Sequence, residues 1–142
     1  MAGASREEIF PISAEKYYAA LVDYQHYPKI LGEVDKIDVL EFSEQAARIQ
    51  YTIQIVKSFT YILKMTQKRP EKVAWELESG SIFKKNVGHW TITPMGPDRC
   101  KVAYNLDIEL KVFAPSAITN KLVAVNLPRM MQAFFEHAKT KT

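Results

Sequence analysis

One cysteine, Cys100, stands among the 142 residues, so no disulfide can close within the chain and the stapled architecture of small secreted domains is excluded. The five glycines are scattered and build no phosphate-cradling loop, and strands do not alternate with helices as nucleotide-binding folds require. No apolar run approaches the roughly 20 residues that span a bilayer, so any membrane contact would be peripheral. The opening Met-Ala-Gly-Ala-Ser-Arg-Glu-Glu has no basic segment followed by an apolar stretch, and the expected compartment is the reducing cytoplasm. Three histidines, His26, His89 and His137, lie far apart; with one cysteine they do not supply a zinc spacing, and no cofactor motif appears. A Gly-x-Ser-x-Gly elbow is missing, and Glu76, Asp107 and Glu109 all take the outward phase of their strands, so no catalytic residue is assigned. The net charge of +3, from nineteen basic and sixteen acidic residues, is too small and dispersed for DNA binding. Lys64, Lys68, Arg69 and Lys72 gather around one turn, which reads as a solvated loop with an anionic surface as the lesser alternative.

What the chain does contain is alternation. From Lys101 to Leu110 one face reads Val102, Tyr104, Leu106, Ile108, Leu110 and the other Lys101, Ala103, Asn105, Asp107, Glu109, the pattern of a half-buried antiparallel strand. Similar runs are expected at Ser5 to Phe10, Lys36 to Phe42, Ala46 to Val56, Phe59 to Lys68, Lys72 to Glu78 and Phe83 to Thr93, separated by short polar, Pro- or Gly-bearing turns. Ser13 is placed to cap a helix from Ala14 to about Asp23, and a second short helix follows to Leu31 with Pro28 near its start. After Pro115 the period becomes helical: Val123, Leu127, Met130, Met131, Phe134 and Ala138 form one apolar stripe, with a kink expected at Pro128. The length suits one domain spanning residues 1–142. The predicted class is α+β, a curved antiparallel β-sheet wrapped around a long C-terminal α-helix, with two short helices after the first strand. A sheet curled around one helix leaves an apolar space between them.

The segment Asp23-Tyr24-Gln25-His26-Tyr27-Pro28-Lys29-Ile30-Leu31, followed by Val34, Ile37, Val39 and Leu40-Glu41, resembles the START-like superfamily. Within it, the branch of polyketide cyclase/dehydrase and coenzyme Q-binding proteins, which also contains a bacterial ribosome-association toxin, is the one that it is similar to. Trp90-Thr91-Ile92-Thr93-Pro94 and the later Lys101-Val102 resemble that family's sixth strand and its successor. The resemblance covers nearly the whole chain and implies the helix-grip fold.

Strand phase turns Ile49, Tyr51, Ile53 and Ile55 inward, then Phe59, Tyr61, Leu63 and Met65, then Val73, Trp75 and Leu77. The phase that brings Trp90 and Ile92 inward also brings Asn86 and Gly88, a polar side chain and a missing one on an apolar face. Either they meet a ligand, or Asn86 bonds a neighbour such as the Tyr104 hydroxyl and Gly88 is a bulge. The candidate ligand-binding residues are Tyr51, Tyr61, Trp75, Asn86, Gly88, Trp90, Tyr104, Leu106, Ile118, Leu122 and Met130. Ile118, Leu122 and Val125 make the first half of the last helix apolar on two sides, as a pocket mouth or a surface for a membrane or partner. Three functions follow in order: a non-catalytic carrier or sensor of a small hydrophobic ligand such as a lipid, isoprenoid quinone or polyketide-like ring; a cyclase, dehydratase or aromatase; and a toxin-like protein that docks on the ribosome. The oligomeric state stays open.

Overall fold

The computed structural model describes residues 2–32, 34–54, 58–80, 82–110 and 127–141. Strand β1 (Ala2–Phe10) leads through the Ser13-capped helix α1 (Ala14–Leu21), a 3₁₀ turn (Tyr24–His26) and helix α2 (Tyr27–Ile30). Six strands follow: β2 (Val34–Phe42), β3 (Ala46–Gln54), β4 (Ser58–Lys68), β5 (Lys72–Gly80), β6 (Phe83–Pro94) and β7 (Cys100–Leu110). Helix α3 (Leu127–Ala138) comes last among the described elements.

The Ser13 hydroxyl accepts from the Lys16 amide at 3.2 Å, which satisfies one of the free donors at the start of α1. Pro28 sits in the first turn of α2, where no backbone hydrogen bond is lost. Each strand of the meander pairs antiparallel with the next, and β1 closes onto β7, so the order across the sheet is β1-β7-β6-β5-β4-β3-β2. This is the curved seven-stranded antiparallel sheet expected from the alternation. β1 begins at Ala2 rather than Ser5, because its ladder with β7 continues through Ala2↔Ile108 and Gly3↔Asp107. Pro128, where a kink is expected, is the second residue of α3 as described; Ile118, Leu122 and Val125 of the expected two-sided apolar segment lie outside the described residues, as does Ile55.

Burial alternates along the strands as predicted, most clearly in β3, where Ala47, Ile49, Tyr51 and Ile53 are buried. In β6 the inward set is Phe83, Asn86, Gly88, Trp90 and Ile92; the odd step from 83 to 86 is absorbed by an irregularity between Phe83 and Lys85. α3 buries Met131, Phe134 and Ala138, one stripe at helical spacing. α1 packs against it, and the Tyr17 hydroxyl donates to the Met131 carbonyl at 3.0 Å. Outer-face charges pair across strands, Lys85 with Asp107 at 2.7 Å and Arg48 with Glu78 at 2.7 Å. No described helix is long and apolar enough to cross a membrane.

Candidate functional site

Between the inner face of the sheet and α3 lies a cavity of about 130 Å³. For scale, an apolar cavity of about 150 Å³ holds one benzene ring. Its wall is a chain of aromatic rings. Tyr51 stacks on Tyr61 with centroids 5.2 Å apart, Phe83 meets Tyr61 edge-on at 4.9 Å, and Trp90 lies 4.7 Å from Tyr104. From the helical side Phe134 reaches both Trp90 and Tyr27 at 5.4 Å. Edge and offset contacts of this kind hold rings in place beyond what burial alone does.

Of the sequence candidates, Tyr51, Tyr61, Trp75, Asn86, Trp90, Tyr104, Leu106 and Met130 are brought together around this space. Ile118 and Leu122 fall outside the described residues. Gly88 does not line the cavity, and its expected opening for a ligand is already filled. Trp75 pairs with Gly88 across β5 and β6, and a Cβ at Gly88 would come within 2.5 Å of Trp75 Cζ2 and collide with the Asn105 carbonyl oxygen. The missing side chain is therefore the seat of an indole. The local reading of Asn86 is corrected in the same place: its partner is Trp75, whose Nε1 donates to Asn86 Oδ1 at 3.0 Å, and not the Tyr104 hydroxyl.

That bond fixes the amide. An indole N–H only donates, so the atom facing it must be the oxygen, and the amide nitrogen with two hydrogens points elsewhere. The Asn86 amide nitrogen has no hydrogen-bond partner among the described residues, and neither has the Tyr51 hydroxyl. No described side-chain polar atom is sealed from space without a partner, so both groups open onto the cavity they line. Burial pushes the Tyr51 hydroxyl above its ordinary range, which keeps it protonated and able to donate at neutral pH. The described lining carries no Asp, Glu, Lys, Arg or His. Cys100, fully buried, is pushed up to about 11 by burial and is an inert thiol.

Several lining residues lay outside the sequence candidates: Tyr27, Leu31 and Phe134 come from the helices and their junctions, and Val34 opens β2. Tyr27 is anchored there because its hydroxyl donates to the Leu21 carbonyl at 2.5 Å. The Tyr-Pro step already quoted was the available signal. Linear spacing also hid a polar cluster outside the cavity. Asp23 accepts from His26 Nδ1 at 2.8 Å, His137 Nε2 at 2.8 Å and Lys141 Nζ at 2.5 Å. Burial alone would raise the Asp23 carboxyl, but hydrogen bonds from Lys141, His137 and His26 outweigh it and hold it well below the usual carboxylate range.

Residues 10–135 match the model of a family described as polyketide cyclase / dehydrase and lipid transport. The persistence and stress-resistance toxin PasT of Escherichia coli O6:H1 (strain CFT073) is 31% identical over 95% of this chain and 85% of its own length. The ribosome association toxin RatA of E. coli K12 is 30% identical over the same shares. Among solved structures, a START superfamily protein from Mycobacterium smegmatis superposes with a TM-score of 0.81 at 21% identity, over 100% of both chains. The Zhui aromatase/cyclase from Streptomyces sp. R1128 gives 0.82 at 15% identity, covering 96% of this chain and 93% of that one. At these identities the structures establish the fold alone.

Proposed function

The chain belongs to the polyketide cyclase / dehydrase and lipid transport family, and on that premise we propose that its cavity binds a small, uncharged hydrophobic molecule bearing a carbonyl-type oxygen, as a carrier or sensor. The observation that carries this reading is the pairing of an uncharged aromatic lining with two unspent donors, the Asn86 amide and the Tyr51 hydroxyl. Burying ligand carbon contributes roughly 0.8 kcal/mol per methylene, so the rings supply most of the affinity. Each neutral hydrogen bond adds about 0.5–1.5 kcal/mol and orients the ligand's oxygen toward the β3–β6 side of the cavity. An anionic headgroup would find no counter-charge among the described lining residues and is disfavoured inside. A quinone or a polyketide-like ring meets both conditions.

Three nearly isosteric single-ring probes test the reading: acetophenone, α-methylstyrene and benzoate, titrated into ¹⁵N-labelled protein. The ketone should bind roughly threefold to tenfold more tightly than the alkene, as one or two neutral hydrogen bonds allow. Benzoate should bind weakest. Tyr51→Phe, which keeps the ring stack, should erase part of the ketone's advantage and leave the alkene's affinity alone. Preferential binding of benzoate, or no shift of any cavity residue with any probe, would reject it.

A second reading has its own support. RatA and PasT are similar over almost the whole chain, and RatA is described as a ribosome association toxin. Docking on a ribosome would use the exterior, not the cavity. Its test is cosedimentation with ribosomes over a salt series.

A further inference from the structure

We propose that Asp23, His26 and His137 form a binding site for a divalent first-row transition ion of zinc-like preference, which fastens α3 to the junction of α1 and α2. The three ligand atoms lie within 4.8 Å of one another, one imidazole nitrogen on each carboxylate oxygen. Two imidazoles and a carboxylate are a donor set that favours zinc, nickel or copper over magnesium or calcium, which take oxygen ligands. The histidines approach from distant segments, the Asp23–His137 contact spanning 114 positions, and their rings stand 5.2 Å apart. His26 is 47% exposed while Asp23 and His137 are each 18% exposed, so one side of the triad is open to an incoming ion.

The group already holding this charge is Lys141, the remaining cation on the same carboxylate. Binding exchanges one cation for another. In the metal-free state each imidazole donates an N–H to Asp23; to ligate, a neutral imidazole moves that hydrogen to its other ring nitrogen and offers the lone pair, while the Lys141 ammonium turns to water. No net proton has to leave. Metal–nitrogen bonds of about 2.0–2.1 Å draw the donors closer than their widest present separation, and the exposed His26 ring supplies that movement. Because α3 also carries Met130 and Phe134, an ion at this position fixes the helical wall of the cavity. The inference does not depend on what the cavity binds.

The experiment is isothermal titration of the untagged full chain with zinc chloride, with magnesium chloride as the control. The expected result is one zinc site of micromolar affinity and no saturable magnesium binding. His26→Ala, at an exposed ring, should weaken zinc at least tenfold while the metal-free protein stays folded, as a cooperative urea transition shows. Lys141→Ala should tighten zinc severalfold, and His89→Ala, removing the third histidine of the chain, should change nothing. In the unmodified chain zinc should slow amide exchange at His137 and Lys139. No saturable 1:1 zinc binding, or zinc binding that survives His26→Ala unchanged, overturns the proposal. Unchanged affinity in Lys141→Ala overturns the exchange of cations.

Discussion

Trp75 shows how one register sets several side chains at once. Its pairing with Gly88 lays the indole over a position with no Cβ, and the same pose aims Nε1 at Asn86 two residues along that face. A methyl group at residue 88 therefore has no place: Gly88→Ala should cost about 1–3 kcal/mol through overpacking, measured by urea unfolding, and should reduce cavity binding as Trp75 is pushed inward. Gln67 plays the equivalent part outside the cavity. It is buried, accepts from the Tyr24 hydroxyl at 2.7 Å and donates to the Ser43 carbonyl at 3.0 Å. Gln67→Leu strands the phenol, whose own ionisation burial has already made harder, and should lower stability by about 1–3 kcal/mol. Restoration toward the parental midpoint in Gln67→Leu/Tyr24→Phe would assign the loss to the unpaired hydroxyl.

Helix α3 is held to the body by two kinds of contact, and they differ in how they respond to acid. The apolar stripe and the Tyr17–Met131 hydrogen bond carry no group that takes up a proton in acid, whereas the Asp23 carboxylate does. The folded Asp23 carboxyl lies below its unfolded value of about 3.9, so the folded state takes up this proton less readily than the unfolded one. Its stabilisation is complete above that value and is lost as pH falls through the lower folded one. Asp23→Asn should melt earlier than the parent at pH 7, and the gap between their melting temperatures should narrow progressively below about pH 4. A constant gap would mean that the aspartate acts through packing. The same helix marks how far the sequence could be read. Strands were legible because inward and outward alternate at every residue, and the stripe Met131, Phe134, Ala138 was legible because helical period is equally local. Partners were not: whether Asn86 meets Tyr104 or Trp75 depends on cross-strand register, and the convergence of Asp23 with His137 exists only after the sheet has curved. Most of the cavity's sheet wall was therefore visible in the strand phase, while its contributions from helix junctions, Tyr27 and Leu31, were not.

For the molecule as a whole, the two proposed modes of binding, inside the cavity and on the exterior, would be governed by different physics. The cavity's described lining is uncharged, so its affinity should be nearly indifferent to ionic strength. The exterior carries a formal charge of only +3, and the basic turn is partly neutralised, with Arg69 on Glu15 at 3.0 Å and Lys68 on Glu71 at 3.4 Å. Association with a ribosome through such a surface would be modest and would weaken steeply between about 50 and 200 mM salt, as phosphate contacts are exchanged for counterions. A saturating cavity ligand acts on the fold instead: at about 100 times its dissociation constant it should stabilise the protein by about 2.7 kcal/mol, a rise of several degrees in melting temperature. The two proposed activities should therefore separate in one set of samples. Salt should strip the protein from ribosomes without altering acetophenone affinity, and acetophenone should raise the melting temperature without altering cosedimentation. A ligand affinity that falls in step with ribosome binding as salt rises would mean that charged groups outside the described lining hold the ligand, and the proposal of an uncharged occupant would fail. Loss of cosedimentation on filling the cavity would instead join the two surfaces, through a movement of the cavity wall that reaches the outside.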